Sequence, residues 1–137
     1  IREMHFKGIS HNVDLSKATA YNYAALDKPG YISRNGKITK LEQGNVPALS
    51  IDSLNLQDVD FIKIDVDGPD RLVLKGALNT IKKYKPVIYI EQDEHQIQWE
   101  NTYKLKDELD EMWKEITLNY NVIDSKVESD NKILVWK

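Results

Sequence analysis

The stretch FIKIDVDGPDRLVLKGA, residues 61–77, limits the possible folds more than any other part of the chain. A short run rich in Ile and Val stops in acid, Gly68-Pro69 follows, and apolar residues then recur at helical spacing. Short length and β-branching predict a strand over 59–66, buried on both faces as in a parallel sheet. Pro69 suits the first turn of a helix, where its missing N–H costs nothing. Asp67 just before that helix and Asp70 within it favour the positive end of the helix dipole. Val73, Ala77, Ile81 and Tyr84 recur about once per turn and predict a core-facing stripe that Pro86 ends. PVIYIE, residues 86–91, predicts a second buried strand. Strand, helix and strand over 59–91 form a βαβ crossover, a connection that is nearly always right-handed. The fold class is therefore α/β.

The flanking segments fit one domain over residues 1–137, the expectation for a chain of this length. Residues 1–17 read as a helix end and a loop. ATAYNYAAL, 18–26, alternates in part and reads as a strand, and Pro29-Gly30 punctuates a turn. In YISRNGKITK, 31–40, Asn35-Gly36 between two alternating runs predicts a type I′ hairpin. VPALSIDSLNL, 46–56, is extended and then turns, with Pro47 marking an edge or irregular strand. A second helix is predicted over 98–116, with Trp99, Tyr103, Lys106, Leu109, Trp113 and Ile116 on its inner face. Tyr120 to Val127 and Lys132 to Trp136 flank a polar turn and predict a terminal antiparallel hairpin.

Composition removes several function classes. A net charge of -3 leaves no electrostatic footprint for nucleic acid. No cysteine is present, which excludes disulfides and thiolate metal sites. No apolar run approaches the roughly 18 residues that a membrane span needs, and no signal peptide is visible. These absent signals set the expectation of a cytoplasmic protein. The chain begins with Ile1 rather than Met, which suggests a fragment, a processed chain or a cloning boundary.

Ligands of open α/β sheets bind outside the carboxyl ends of the parallel strands. Here one strand ends at Asp65-Val66-Asp67-Gly68 and the other at Glu91, followed by Gln92-Asp93-Glu94-His95. Adjacent strands would bring Asp65, Asp67 and Glu91 to one rim, with His95 close behind. Carboxylates held close together repel, so one tends to keep a proton or recruit a cation. A general base, a metal site or a cofactor contact are all open on this reading. Lys63 shares a strand face with Asp65. It either snorkels beneath the crossing helix and pairs with an acid, or tunes Asp65 and holds substrate.

Several motifs fail on spacing. DVDGPDRLVLKG begins like an EF-hand loop, but its glycine is fourth rather than sixth and Gly76 stands where the bidentate Glu belongs. Asp65-Val66-Asp67 matches the DxD of manganese-nucleotide glycosyltransferases, a pattern that arises easily by chance. His5, His11 and His95 lack zinc-ligand spacing. No G-x-G-x-x-G, P-loop or nucleophile elbow occurs.

Residues 49–91 carry a longer, ordered set of matches. Ile51-Asp52-Ser53-Leu54, Asp60 to Asp70, Val73-Leu74-Lys75-Gly76-Ala77 and Pro86 to Glu91 resemble the FkbM-type family of S-adenosylmethionine-dependent methyltransferases. Weaker likeness extends over Ala18 to Lys137, with YNYAALDKPG similar to the family's third strand. The resemblance implies a Rossmann-like methyltransferase sheet of order 3-2-1-4-5-7-6, mostly parallel with a terminal antiparallel hairpin. It makes 59–66 strand 4 and 86–91 strand 5. It also implies methyl transfer from S-adenosylmethionine to an oxygen of a sugar or other small molecule. Asp65, Asp67, Lys63 and Glu91 are the catalytic candidates, with Asp65 or Asp67 as the proton acceptor.

The chain departs from the family at three points. Asp stands at 67 and 70 where the family has Glu, and Pro69 replaces an apolar or aromatic residue. Strands 1 and 2, which carry the glycine-rich cofactor turn and the ribose-binding acid, have no counterpart. The expectation is therefore an N-terminally truncated domain, inactive alone and poor at binding S-adenosylmethionine. Its strand 4 edge would be left to a homodimer or a rearranged sheet. Two other readings stand beside this one: a non-catalytic binding or assembly module, and a metal-dependent transferase using Asp65 and Asp67.

Overall fold

The computed structural model describes Asp14 and residues 16–35, 38–41, 44–126 and 130–137. Its first four strands are β1 (Ala24–Ala25), β2 (Gly30–Asn35), β3 (Ile38–Leu41) and β4 (Val46–Leu49), in sheet order β1-β4-β2-β3. A 3-10 turn (Asp52–Leu54) leads to β5 (Phe61–Ile64), α1 (Asp70–Lys75), α2 (Leu78–Tyr84) and β6 (Val87–Glu91). Helices α3 (Glu94–Thr102) and α4 (Lys106–Asn119) and strands β7 (Tyr120–Asp124) and β8 (Asn131–Trp136) complete the chain. The second sheet has the order β5-β6-β8-β7. The described residues thus form a mixed α/β structure of two sheets and four helices.

The βαβ unit is present. β5 and β6 pair in parallel from Phe61↔Val87 to Ile64↔Ile90. The hairpins at Asn35 and at the C-terminus are present too, the first pairing Asn35 with Ile38 and the second Ile123 with Ile133. Gly36 and the predicted helix end within 1–13 lie outside the described residues.

Four expectations are corrected. Only Ala24–Ala25 of the segment 18–26 forms a strand, and it pairs with β4 in the first sheet. Among the described residues, two of the six strand pairings are parallel and four antiparallel, so these sheets are not mostly parallel. Short hairpin loops can only join antiparallel neighbours, and two such hairpins supply two of the four antiparallel pairings. β4 is an inner strand despite Pro47, which pairs with Tyr31 of β2. It is tolerated because β1 on the other flank begins its pairing only at Ala48. Finally, β5 is not buried on both faces: Ile62 and Ile64 are buried, whereas Phe61 is 58% exposed.

Both predicted helices break in two. α1 and α2 part at Gly76-Ala77 because another chain segment crosses there. A Cβ on Gly76 would stand 2.2 Å from the Leu26 carbonyl oxygen, so only glycine lets β1's exit pass. Asp52 reaches the break from a distance. Its carboxylate accepts the N–H groups of Asn79 and Thr80 at 3.0 and 2.8 Å and the Thr80 hydroxyl at 2.7 Å. It thereby caps α2, whose first N–H groups have no partner within the helix. The stripe survives the break, with Val73, Ala77 and Ile81 buried in one core with Ile88, Ile90, Leu109 and Leu134. The segment 98–116 breaks at Tyr103–Leu105, where Lys104 takes a positive φ of 55°. Trp99, Leu109 and Ile116 are buried, as their spacing predicts.

Candidate functional site

The carboxyl ends of β5 and β6 lie side by side because the two strands are parallel neighbours. β5 ends into a tight loop that a single buried carboxylate organises. Asp70, 1% exposed, accepts the Val66 and Gly68 N–H groups, each at 3.0 Å. Between those two anchors Asp67 adopts a φ of 55° and Gly68 one of 128°. Positive φ is strained for a residue with a side chain, so the two Asp70 bonds hold Asp67 in a conformation it would otherwise leave. Burial pushes the Asp70 carboxyl above the ordinary aspartate range, and the two N–H groups oppose this.

Glu91 closes the rim from β6. Its carboxyl is also raised, first by burial and then by the charges of Asp70, Asp93, Asp65 and Asp67. Of the rim acids expected from the sequence, Glu91 thus senses the charges of Asp65 and Asp67. His95 is placed differently. It pairs with Asp93 at 2.8 Å, and Asp93 also caps α3 through the Gln96 N–H at 2.8 Å. Burial raises the Asp93 carboxyl, but the Gln96 N–H and His95 outweigh it and hold the group low. Among the described residues, no three His, Asp or Glu side chains come close enough together to hold a metal ion.

Lys63 has a plain explanation. It lies on the open face of β5 and pairs with Asp65 at 2.8 Å, the two side chains being 55% and 51% exposed. The Tyr89 ring stands 5.9 Å from the ammonium.

A buried ion pair lies beside this loop, with no local sequence signature to mark it. Arg71 directs Nε and a terminal nitrogen to the two Glu100 oxygens and its other terminal nitrogen to Asp110 at 2.8 Å. The Arg71 and Glu100 side chains are 8% and 1% exposed. Lys106 pairs with the second Asp110 oxygen. Lys106 and then Arg71 hold the Asp110 carboxyl below the usual range. This network ties α1 to α3 and α4 directly beneath the rim loop. An Arg and a Glu separated by 29 residues carry no local signature.

The Methyltransferase FkbM domain family matches residues 5–122. The chain belongs to that family. A crystal structure of Methyltransferase FkbM from Methylobacillus flagellatus KT is similar in fold, with a TM-score of 0.55 and 17% sequence identity. The match covers 98% of this chain and 32% of that one, so the chain spans about a third of that methyltransferase's length. No curated protein matches the sequence. Among the described residues, no helix is long and apolar enough to cross a membrane.

The described residues do not by themselves fit S-adenosylmethionine, the methyl donor that the family suggests. A glycine-rich strand-to-helix turn is the usual receptor for such a nucleotide-bearing cofactor. Among the described residues, Gly68 stands between a strand and a helix, backed by the Trp99 ring at 3.5 Å, and Gly76 is occupied by the chain leaving β1.

Proposed function

We propose that this chain is the acceptor-side portion of an S-adenosylmethionine-dependent O-methyltransferase, with the cofactor's glycine turn and ribose acid supplied from outside the described residues. The observation that carries this reading is the acidic rim at the ends of two parallel neighbours, where burial and then the charges of Asp70, Asp93, Asp65 and Asp67 raise the Glu91 carboxyl. A carboxylate with a raised pKa is a better proton acceptor than an ordinary one. Glu91 takes the proton from an acceptor hydroxyl at the rim. Asp65 and Asp67 sustain its basicity by their charge, and Lys63 steadies Asp65 from the open face. This shifts the proton-accepting role from Asp65 or Asp67, the sequence's candidates, to Glu91.

The sheet order supports the same reading. β5-β6-β8-β7, with β8 antiparallel to β6, has the arrangement that a Rossmann-like methyltransferase sheet gives its strands 4-5-7-6. Most of the residues that carry the family likeness serve architecture. Asp52 caps α2, Gly76 admits β1, and Asp70 builds the rim loop. The rim acids are the part of the signature left over for chemistry.

Calorimetry with S-adenosylmethionine and S-adenosylhomocysteine tests the proposal. The chain of residues 1–137 is expected to bind neither measurably, whereas a longer polypeptide containing it binds both. Micromolar binding by residues 1–137 would refute the division of the cofactor site but leave methyl transfer standing. No binding by any longer polypeptide would refute methyl transfer itself.

A further inference from the structure

A second concavity of about 180 Å3 lies on the helical side of the rim, outside the acid cluster. Arg71, Gln96, Ile97, Asp110 and Trp113 line it. Gln96 is 3% exposed, and its Nε2 donates to Glu100 Oε1 at 2.8 Å. That bond fixes the amide's orientation, because turning it over would set an oxygen against the carboxylate. Gln96 Oε1 is then left buried with no donor, one of two such atoms among the described residues. A buried acceptor without a donor is costly and marks the place where a donor from outside the chain is wanted.

The neighbouring groups specify that donor's chemistry. Arg71 commits three N–H groups to Glu100 and Asp110, and a guanidinium has five. Two Arg71 N–H groups are therefore left over, on a residue that lines the same groove as Gln96. The cations at the groove already have partners, Arg71 with Glu100 and Asp110 and Lys106 with Asp110. Asp93, also at the groove, is committed to the α3 cap and His95. Trp113 is half-buried and Ile97 forms an exposed apolar lip.

We propose that this groove binds a small neutral ligand carrying a hydrogen-bond donor and acceptor side by side next to a flat apolar face. The donor meets Gln96 Oε1, the acceptor takes an Arg71 N–H, and the face lies against Trp113. Two kinds of molecule share that chemistry, a ring carboxamide and a pyranose with adjacent hydroxyls. The proposal does not depend on the methyl-transfer reading.

Titration of the isotope-labelled protein with benzamide and, separately, methyl glucopyranoside tests it by NMR. Millimolar binding of at least one probe is expected, with shifts confined to the Gln96 side-chain amide, the Trp113 indole and their neighbours. The probe that binds identifies which source of the shared chemistry the groove prefers. Gln96→Met is expected to weaken that probe about tenfold, the effect of losing one hydrogen bond. Ile97→Arg, on the exposed lip, blocks the groove without touching the core and is expected to abolish the shifts. It keeps the test decisive where Gln96→Met fails to fold. Absence of shifts with both probes would overturn the proposal and leave Gln96 to a bound water. So would shifts that survive unchanged in folded Ile97→Arg.

Discussion

Two ion pairs eight residues apart in sequence behave as opposites. Lys63–Asp65 stands on the open face of β5, more than half exposed at both ends, whereas Arg71–Glu100 is sealed beneath α1, α3 and α4. Sequence attention falls on Lys63, because a lysine inside an apolar strand looks wrong. The structure shows that the strand has one wet face, so Lys63 breaks no rule. Arg71 sits among ordinary helix residues and draws no attention, yet it is the cation removed from water. A charge's sequence neighbours reveal less about its burial than its partners do, and those partners are distant.

The comparison can be broken or sharpened by mutation. Arg71→Ala should have the largest effect, a loss of about 3–5 kcal/mol in urea unfolding, because Glu100 would be left buried and unpaired. Replacing both Arg71 and Glu100 by well-packed apolar residues should recover most of that loss, since desolvation offsets the pair's own attraction. A double mutant as unstable as Arg71→Ala would show that the network holds the helices by more than charge compensation. Asp70→Ala comes next. It strands the Val66 and Gly68 N–H groups and should cost about 1–3 kcal/mol. Faster hydrogen exchange at those two amides should accompany the loss.

Glu91→Gln should act in the other direction. A raised folded-state pKa means that stability is greatest with Glu91 protonated and declines as pH rises through that value. The variant should therefore be more stable than the parent at neutral pH, by at most about 1 kcal/mol. The gain should vanish as pH falls to the ordinary glutamate range, where both proteins carry a neutral group. Equal stability at every pH would remove the acid rim as an electrostatic unit. Lys63→Ala should have the smallest effect, below about 1 kcal/mol, since exposed pairs are screened by water and salt. A loss as large as that of Arg71→Ala would erase the contrast between the two pairs.

Legibility followed the range of the interactions. The strand, helix, strand unit, the two hairpins and the apolar stripe of Val73, Ala77 and Ile81 were readable because each rests on local periodicity or turn chemistry. The convergence of Asp65, Asp67 and Glu91 was readable as well, since parallel strands share a carboxyl end. The breaks at Gly76 and Lys104 were not. Gly76 interrupts the helix because β1 crosses there, and nothing local distinguishes it from a tolerated helical glycine. The alternation in β5 was missed because an Ile-rich run of four residues looks the same whether one or two of its faces are covered.

The sequence by itself therefore determined the element types, the family and the identity of the rim acids, because these are properties of short stretches. The tertiary structure alone decided which charges are buried, which acids are perturbed and where a buried acceptor lacks a donor. Burial and electrostatics depend on what long-range packing brings together. Glu91 is shifted first by burial and then by four aspartates, Arg71 is clasped by two acids from other helices, and no window of local sequence contains either group.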